Sequence, residues 1–177
     1  SWRGGLLFDK TTGSDKYPFY YPPAVSWDRA GDLWIYGVTG DVTDPNGASP
    51  AAWIYGVKPL LCVDASGNPS ACARSDLENI TSWHNQYCES TKLMGWSMNL
   101  SGSSEKALAP PWVFNSVLYF TTFVPKGSTG TDCTKTGTSQ LYAISVETGT
   151  GSIGCTAGQG LADLEDQIAK VGVVVQQ

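Results

Sequence analysis

The stretch AVSWDRAGDLWIYGVTGD, residues 24–41, contains two apolar segments separated by a short polar turn. The turn is residues 28–32, DRAGD, and the segment after it, residues 33–39, is apolar at nearly every position. Successive side chains of a strand point to opposite faces, so this segment is apolar on both faces. A strand with one face in water carries polar residues at alternate positions. The pattern therefore predicts a hairpin whose second strand lies in the middle of layered sheets.

Composition favours strands over helices. The 177 residues include 20 glycines and 10 prolines, with 11% aromatic and 15% charged residues. This profile is typical of many strands joined by tight turns. The length predicts one domain, or a fragment of one, spanning residues 1–177. The chain begins at Ser1 rather than at a methionine, which we interpret as a processed product or a piece of a longer protein.

Charge and hydropathy exclude two classes of partner. The net charge is −5 and no basic run occurs, so binding to a phosphate backbone would lack its main driving force. No apolar segment approaches the length of about 20 residues that a membrane-spanning helix needs. We therefore predict neither a nucleic-acid partner nor a membrane span.

Two blocks of the chain repeat the same order of strands. The letters WIYGV occur at residues 34–38 and again at 53–57. Four strands are predicted in residues 5–57, and four more follow in residues 94–150 at nearly constant offsets from the first four. The predicted strands are 5–9, 23–27, 33–39 and 52–57 in the first block, and 95–100, 107–114, 117–124 and 140–146 in the second.

A four-stranded meander that is apolar on both faces needs cover on both sides, which radial stacking of such sheets provides. The sequence therefore predicts an all-β fold with two four-stranded antiparallel blades of a β-propeller. Two blades form only a partial ring, so the remaining blades would come from the rest of a longer chain or from a partner chain. A β-sandwich, which also accommodates eight short strands, is the alternative.

The other segments are an insertion, residues 58–93, and a C-terminal tail, residues 151–177. The insertion is polar and long enough to be a functional or disulfide-tied surface excursion, with a helical turn expected at residues 76–84. In the tail, residues 161–170 predict a short amphipathic helix, and residues 171–175 predict a last strand that completes a neighbouring sheet.

The cysteines indicate an oxidising compartment. None lies in a CxxC or histidine-paired pattern, so disulfides are favoured over zinc ligation or catalysis. The odd number leaves one thiol unpaired or bonded to another chain, and the spacing does not give the connectivity. We expect an exported protein. The disulfide candidates are Cys62, Cys72, Cys88, Cys133 and Cys155.

Several pieces, in their order along the chain, resemble a known family. They are PPAVSWDRAGDLWIYGVTGD, AAWIYGV, GWSMNL, EKALAPPWVFNSVLYFTTFVP, Cys133 and SQLYAISVETG. Together they resemble the C-terminal β-propeller region of the PilY family, the type IV pilus tip-associated adhesin and assembly proteins. The resemblance implies a non-enzymatic propeller outside a bacterial cell that acts with pilins and minor pilins and contacts host or abiotic surfaces.

This chain departs from the PilY family in two respects. It lacks the N-terminal region, often von Willebrand A-like, of the longer family members. It also has no match to the family's calcium loop, so no cofactor is predicted. Asp41, Asp44 and Asn46 form the nearest acidic cluster, but their spacing of 1, 4 and 6 differs from the alternating pattern of a single-loop calcium site. A solvated turn is the favoured interpretation of this trio.

A second resemblance gives an alternative function. The segments LLFDKTTG and LYAISVETGTG resemble the strand-and-turn repeats of quinoprotein dehydrogenases, whose blades end in an Asp/Glu-x-Thr-Gly turn. The same letters also fit a plain turn in which Gly149 adopts positive φ. The alternatives to the PilY-type function are therefore a fragment of a quinoprotein-type dehydrogenase and a secreted carbohydrate-binding β domain.

No residue pattern indicates catalysis. His84 is the single histidine, and no GxSxG motif is present to form a nucleophile elbow. Glu105, Glu147 and the acidic group at residues 163–166 are interpreted as solvated surface. The sequons at Asn79 and Asn99 match the N-glycosylation pattern, and the one at Asn99 falls at a strand end.

Aromatic side chains are the main binding candidates. Tyr17, Phe19, Tyr20 and Tyr21 are crowded into a proline-rich loop before the first hairpin. Such a cluster can stack on sugars or anchor a partner protein. The competing interpretation is that these rings fill the core between blades.

Overall fold

The structure, a computed structural model, describes residues 6–9, 18–45, 47, 52–64, 66–68, 70–81, 94–100, 104–125, 137–147 and 173–174. These residues form strands, turns and two short 3-10 helices, Pro59–Leu61 and Arg74–Asp76, with no α-helix among them. The all-β class is confirmed, and most neighbouring strands pair antiparallel. The predicted helix at residues 161–170 lies outside the described residues.

The described strands, in chain order, are β1 Phe8–Asp9, β2 Ala24–Trp27, β3 Leu33–Val38, β4 Trp53–Val57, β5 Cys72–Ala73, β6 Glu78–Asn79, β7 Gly95–Asn99, β8 Lys106–Ala107, β9 Trp112–Phe114, β10 Val117–Pro125, β11 Gly137–Ser145 and β12 Val173–Val174.

The first sheet has the strand order β2-β3-β4-β7-β6. Its first four strands form an antiparallel meander, and β6 adds to β7 in parallel. The predicted hairpin is confirmed. Its turn is held by Asp28, whose Oδ1 accepts hydrogen bonds from the amides of Ala30 at 2.9 Å and Asp32 at 2.8 Å, while Gly31 takes φ +87°.

The second sheet has the order β12-β11-β10-β8, with β9 also pairing with β10. The single strand predicted at residues 107–114 is divided into β8 and β9, because Pro110 and Pro111 between them have no amide hydrogen for the ladder. Asn115 and Ser116 both have positive φ, as a two-residue hairpin turn requires. The strand predicted at residues 171–175 is found as β12, which completes this sheet beside β11.

The two sheets pack face to face through an apolar core with contributions from both. Trp34, Tyr36 and Trp96 of the first sheet belong to the same buried cluster as Phe120 and Tyr142 of the second. The rings of Phe120 and Tyr142 are stacked, with centroids 4.7 Å apart. The Tyr36 hydroxyl and the Trp96 indole N–H both donate to the carbonyl oxygen of Val146, each at 3.2 Å. These bonds link the two sheets.

A third, smaller layer covers the other face of the first sheet. It contains β1 paired in parallel with β5, and it packs on Trp53, Tyr55 and Val57 of β4. All five residues of β4 are consequently buried, whereas the outward residues of β3 are only half-buried. The sequence predicted that β3 is buried on both faces, but in the structure that strand is β4.

The division of the chain into blade-like units 5–57 and 94–150 needs a correction at the level of strands. β7, predicted to begin the second unit, pairs with β4 and completes the first sheet. β1, predicted to begin the first unit, pairs instead with β5 of the insertion. A short apolar strand can pair with several different strands, so its residues alone did not identify the pairing partner.

Candidate contact surfaces and apolar pocket

The outward side of the second sheet presents a group of apolar side chains, Trp112, Phe114, Val117 and Tyr119, here called the outer apolar face. Trp112 is paired with Tyr119 across the ladder, and their rings are stacked with centroids 4.4 Å apart. Phe114 is paired with Val117 in the same way. Trp112 is 52% and Phe114 67% exposed. Neighbouring exposed apolar side chains of this size are typical of contact surfaces for other macromolecules.

Strand periodicity explains why these residues face outward. Leu118 and Phe120 of β10 are buried against the first sheet, so the alternate positions Val117 and Tyr119 project to the opposite side. Within β9, Val113 packs against the core while its two neighbours are exposed. An apolar residue at nearly every position of this hairpin therefore produces two apolar faces, of which one is covered by the first sheet.

The predicted aromatic cluster is distributed over several environments. Tyr17 lies outside the described residues. Tyr21 packs against the core, and its hydroxyl donates to the carbonyl oxygen of Leu108 at 2.5 Å. Phe19 lies edge-on to Tyr55 with centroids 5.8 Å apart, and Tyr20 is exposed. The core interpretation therefore holds for Tyr21, whereas Phe19 and Tyr20 are exposed, and their role in binding stays a prediction.

Two members of the aromatic cluster line an apolar pocket of about 280 Å³ on the outward side of the first sheet. The N-terminal segment and the loop before β2 form its sides, and β3 and β4 form its floor. None of the lining side chains is charged. The lining residues are Leu6, Leu7, Phe8, Phe19, Tyr21, Pro23, Ile35, Gly37, Tyr55 and Val57.

The repeated WIYGV letters produce the floor of this pocket. In the antiparallel register, Gly37 of β3 is paired with Tyr55 of β4, and Tyr36 of β3 is paired with Gly56 of β4. Each tyrosine is thus paired with a glycine of the other strand. The Tyr55–Gly37 pair faces the pocket, and the Tyr36–Gly56 pair faces the core between the sheets. The glycines leave room for rings from elsewhere, because Phe19 lies over Gly37 on the pocket side. On the core side, Trp96 lies over Gly56.

The predicted acidic trio lies in the loop after β3. Asp41 is exposed, and its Oδ1 accepts hydrogen bonds from the amide and hydroxyl of Thr43 at 2.9 and 2.6 Å, which lower the pKa of its carboxyl. The Lys106 ammonium donates to the carbonyl oxygens of Asp44 and Gly47. The ammonium of Lys106, a residue of β8, thus lies against the backbone of this loop. Asn46 lies outside the described residues, and among those described no group of three or more His, Cys, Asp or Glu side chains is placed to hold a metal ion.

A buried polar cluster lies between the sheets, and the sequence did not predict it. Glu105, interpreted from the sequence as solvated, is 1% exposed. Its Oε1 accepts hydrogen bonds from the hydroxyls of Thr122 at 2.5 Å and Tyr142 at 2.8 Å. Burial, together with the neighbouring Glu105 carboxylate, raises the pKa of the Tyr142 hydroxyl well above its usual range. A signal was present, because Thr122 occupies the same alternating positions as Leu118 and Phe120, and an inward polar residue needs a polar partner.

A charged cluster secures the β2–β3 hairpin to the end of β4. The Asp28 carboxylate accepts a hydrogen bond from the Trp34 indole N–H at 3.0 Å and pairs with the Lys58 ammonium at 2.9 Å. Lys58 also pairs with Asp32 at 2.7 Å. Burial acts to raise the pKa of Asp28, but the hydrogen bonds from Trp34, Lys58 and the Asp32 amide outweigh it. The pKa of this carboxyl therefore lies well below its ordinary value.

Cys62 and Cys72 form a disulfide within the insertion, with Cα atoms 5.1 Å apart. The other three disulfide candidates, Cys88, Cys133 and Cys155, lie outside the described residues, as does His84. The sequon residue Asn79 is exposed, and its side-chain oxygen accepts a hydrogen bond from the Thr81 amide at 3.0 Å. Asn99 is half-buried at the end of β7.

Comparison of the chain with protein-family models, with curated proteins and with solved structures finds no match. Within the described part of the chain, no helix has the length and apolar character needed to span a membrane.

Proposed function

We propose that the chain is a non-enzymatic segment of an exported β-propeller of the PilY type, which acts in type IV pilus assembly and surface adhesion through protein contacts. The observation that supports this proposal best is the outer apolar face. A sheet that ends a protein on its solvent side carries polar residues at outward positions. Trp112 and Phe114 at these positions favour a sheet on which a further layer stacks.

The sheet topology also supports the proposal. The meander of the first sheet is β2-β3-β4-β7, and that of the second sheet is β9-β10-β11-β12. In both, the strands follow one another across the sheet in chain order, as they do within a propeller blade. The edge strands β2 and β9 of the two sheets contact each other. Blades arranged around a central channel bring their innermost strands together in this way. The next sheet of such a ring would cover the outer apolar face.

The disulfide supports export. Disulfides persist in secreted and periplasmic proteins and are rare in reducing cytosol. The Cys62–Cys72 bond ties down the insertion on the outward side of the first sheet. An insertion held in this way is suited to a protein that works outside the cell.

The test uses the protein in the bacterium that encodes it, with a photo-crosslinking p-benzoyl-phenylalanine at position 114. The matched control places the same group at Leu60, which is exposed on the insertion. We expect light-dependent products only from position 114, and mass spectrometry should identify further propeller sequence in them. We also expect pilins or minor pilins to co-purify with the protein.

Two results would contradict the proposal. The first is an absence of any crosslinked product at position 114 in cells that assemble pili. The second is native material that lacks pilins and carries a bound quinone or saccharide, which would favour the dehydrogenase or the carbohydrate-binding alternative.

A further inference from the structure

The apolar pocket between the loop before β2 and the first sheet has features of a ligand site that the proposed function does not use. We infer that this pocket binds an uncharged aromatic group of one or two rings. The inference is independent of pilus assembly, because it depends on the chemistry of the pocket lining alone.

The lining excludes charged ligands. Its members are aliphatic, aromatic, proline or glycine residues, so an ion entering the pocket would lose hydration without gaining a counter-charge. The hydroxyl of Tyr21 is already committed to the carbonyl oxygen of Leu108, so this ring presents apolar surface. Small-molecule sites are lined mainly by apolar and aromatic side chains in this way.

The walls favour a ring over a chain. Phe8 and Phe19 both contact the Tyr55 ring, with ring centroids 4.6 and 5.8 Å from it. These tilted and edge-on contacts are the arrangements that aromatic rings prefer with one another. A flat ligand seated on Ile35, beside the Phe19 ring that covers Gly37, would continue the same pattern of ring contacts.

The size of the pocket sets the size of the ligand. A dry engineered cavity of about 150 Å³ holds benzene, and drug-sized sites begin near about 300 Å³. The pocket, at about 280 Å³, lies between these values and suits a one-ring or two-ring molecule. Entry is available on the side of Leu6 and Phe19, both of which are exposed.

The test is a titration of the full chain with indole, followed by NMR of methyl groups. We expect saturable shifts at the Ile35 and Val57 methyls, which line the pocket, and none at the methyls of Val63, an exposed valine of the insertion. Shifts that rise without saturation, or that are equal at Val63, would overturn the inference.

Variants test the location of the site. Ile35→Phe fills the pocket and should weaken indole binding at least about tenfold. Val63→Phe adds the same ring elsewhere and should leave binding unchanged. If Ile35→Phe fails to fold, Leu6→Ala at the exposed rim serves instead, with an expected loss of about threefold. Unchanged affinity in a folded pocket variant would overturn the inference.

The source of the ring is distinguished by a second probe, N-acetyl-tryptophanamide, which carries the same indole on a peptide-like backbone. Binding of both probes supports a site that receives an aromatic side chain of another polypeptide. Binding of indole alone supports a site for a free small molecule. Since neither probe involves pilins, failure of this inference and failure of the proposed function are separate results.

Discussion

Gly37 and Gly56 occupy the same position in the two WIYGV copies, but different neighbours surround them. An added Cβ on Gly56 would lie 2.6 Å from Cε2 of Trp96, a ring that is 2% exposed between the two sheets. An added Cβ on Gly37 would lie 2.7 Å from Cε1 of Phe19, which is 41% exposed. The two glycines therefore differ in whether the adjacent ring has room to move.

We predict that Gly56→Ala destabilises the chain by about 2 kcal/mol, because a ring in a packed core cannot withdraw. Gly37→Ala should cost less than about 1 kcal/mol, because Phe19 can rotate into solvent and alanine restricts the unfolded chain. Urea denaturation of the two variants measures both values. Equal losses would show that the core-side packing of Trp96 is wrong.

A second residue-level prediction concerns Asp28, whose side chain is 5% exposed and meets Trp34 and Lys58. Asp28→Asn should reduce the free energy of unfolding by about 2 kcal/mol at neutral pH, since a buried hydrogen-bonded charge pair is lost. The control is Asp32→Asn, which changes a carboxyl that is 43% exposed on the same lysine and should cost less than about 1 kcal/mol.

The effect of Asp28 depends on pH in a definite direction. Its folded-state pKa lies below the ordinary value of 3.8, so its contribution is fully present above that value and is lost as pH falls through the folded pKa. The difference between the wild-type chain and Asp28→Asn should therefore shrink below about pH 4. Denaturation at a series of pH values checks this, and a difference that grows on acidification would contradict it.

At the scale of elements, the Cys62–Cys72 disulfide closes a loop of the insertion within the layer that contains β1 and β5. The closed loop is short, with a sequence separation of 10 residues. In the chain-entropy model, such a loop stabilises by about 3 kcal/mol. We predict that a Cys62→Ala and Cys72→Ala double variant loses about this much, with the loss confined largely to the insertion layer.

Native-state hydrogen exchange measures where the disulfide acts. Amides of β1 and β5 should lose protection in the double variant, because they pair within this layer. Amides of β10 should keep theirs, because their partners in β11 lie in the second sheet, on the far side of the first. Uniform loss of protection across both sheets would contradict an insertion layer that opens independently.

Strand positions were more predictable than strand pairings. Strands were predicted at residues 33–39 and 117–124 from runs of apolar residues bounded by Asp, Gly or Asn turns. The observed strands β3 and β10 closely match these ranges. The pairing partner of β7 could not be predicted, because the residues GWSMN are compatible with either sheet. Only the structure, with Gly95 at φ +136°, shows its register beside β4. Register depends on neighbours far away in sequence, which alternation alone does not specify.

The same limit applied to the candidate sites. The aromatic loop was predicted from its letters, but the pocket was not, because four separate segments line it. The burial of Glu105 also depends on Thr122 and Tyr142 from distant strands. Apolar surface on both sides of the hairpin at β9 and β10 was the part of the site that local sequence did indicate.

At the scale of the whole molecule, two meanders stack face to face, and the outer apolar face of the second remains on the surface. Removal of this apolar surface from water is favourable, as it is for the side chains already packed between the sheets. If the arrangement is an open arc of a larger ring, the isolated chain should cover this face by self-association. A self-sufficient sandwich would instead remain a monomer.

Sedimentation equilibrium of the 177-residue chain tests this central claim most directly, with a Trp112→Ser and Phe114→Ser double variant as the comparison. We predict that the wild-type chain associates with increasing concentration, and that the double variant, checked for an unchanged fold by circular dichroism, sediments as a monomer. A wild-type chain that remains a compact monomer at every concentration would contradict the open-arc account.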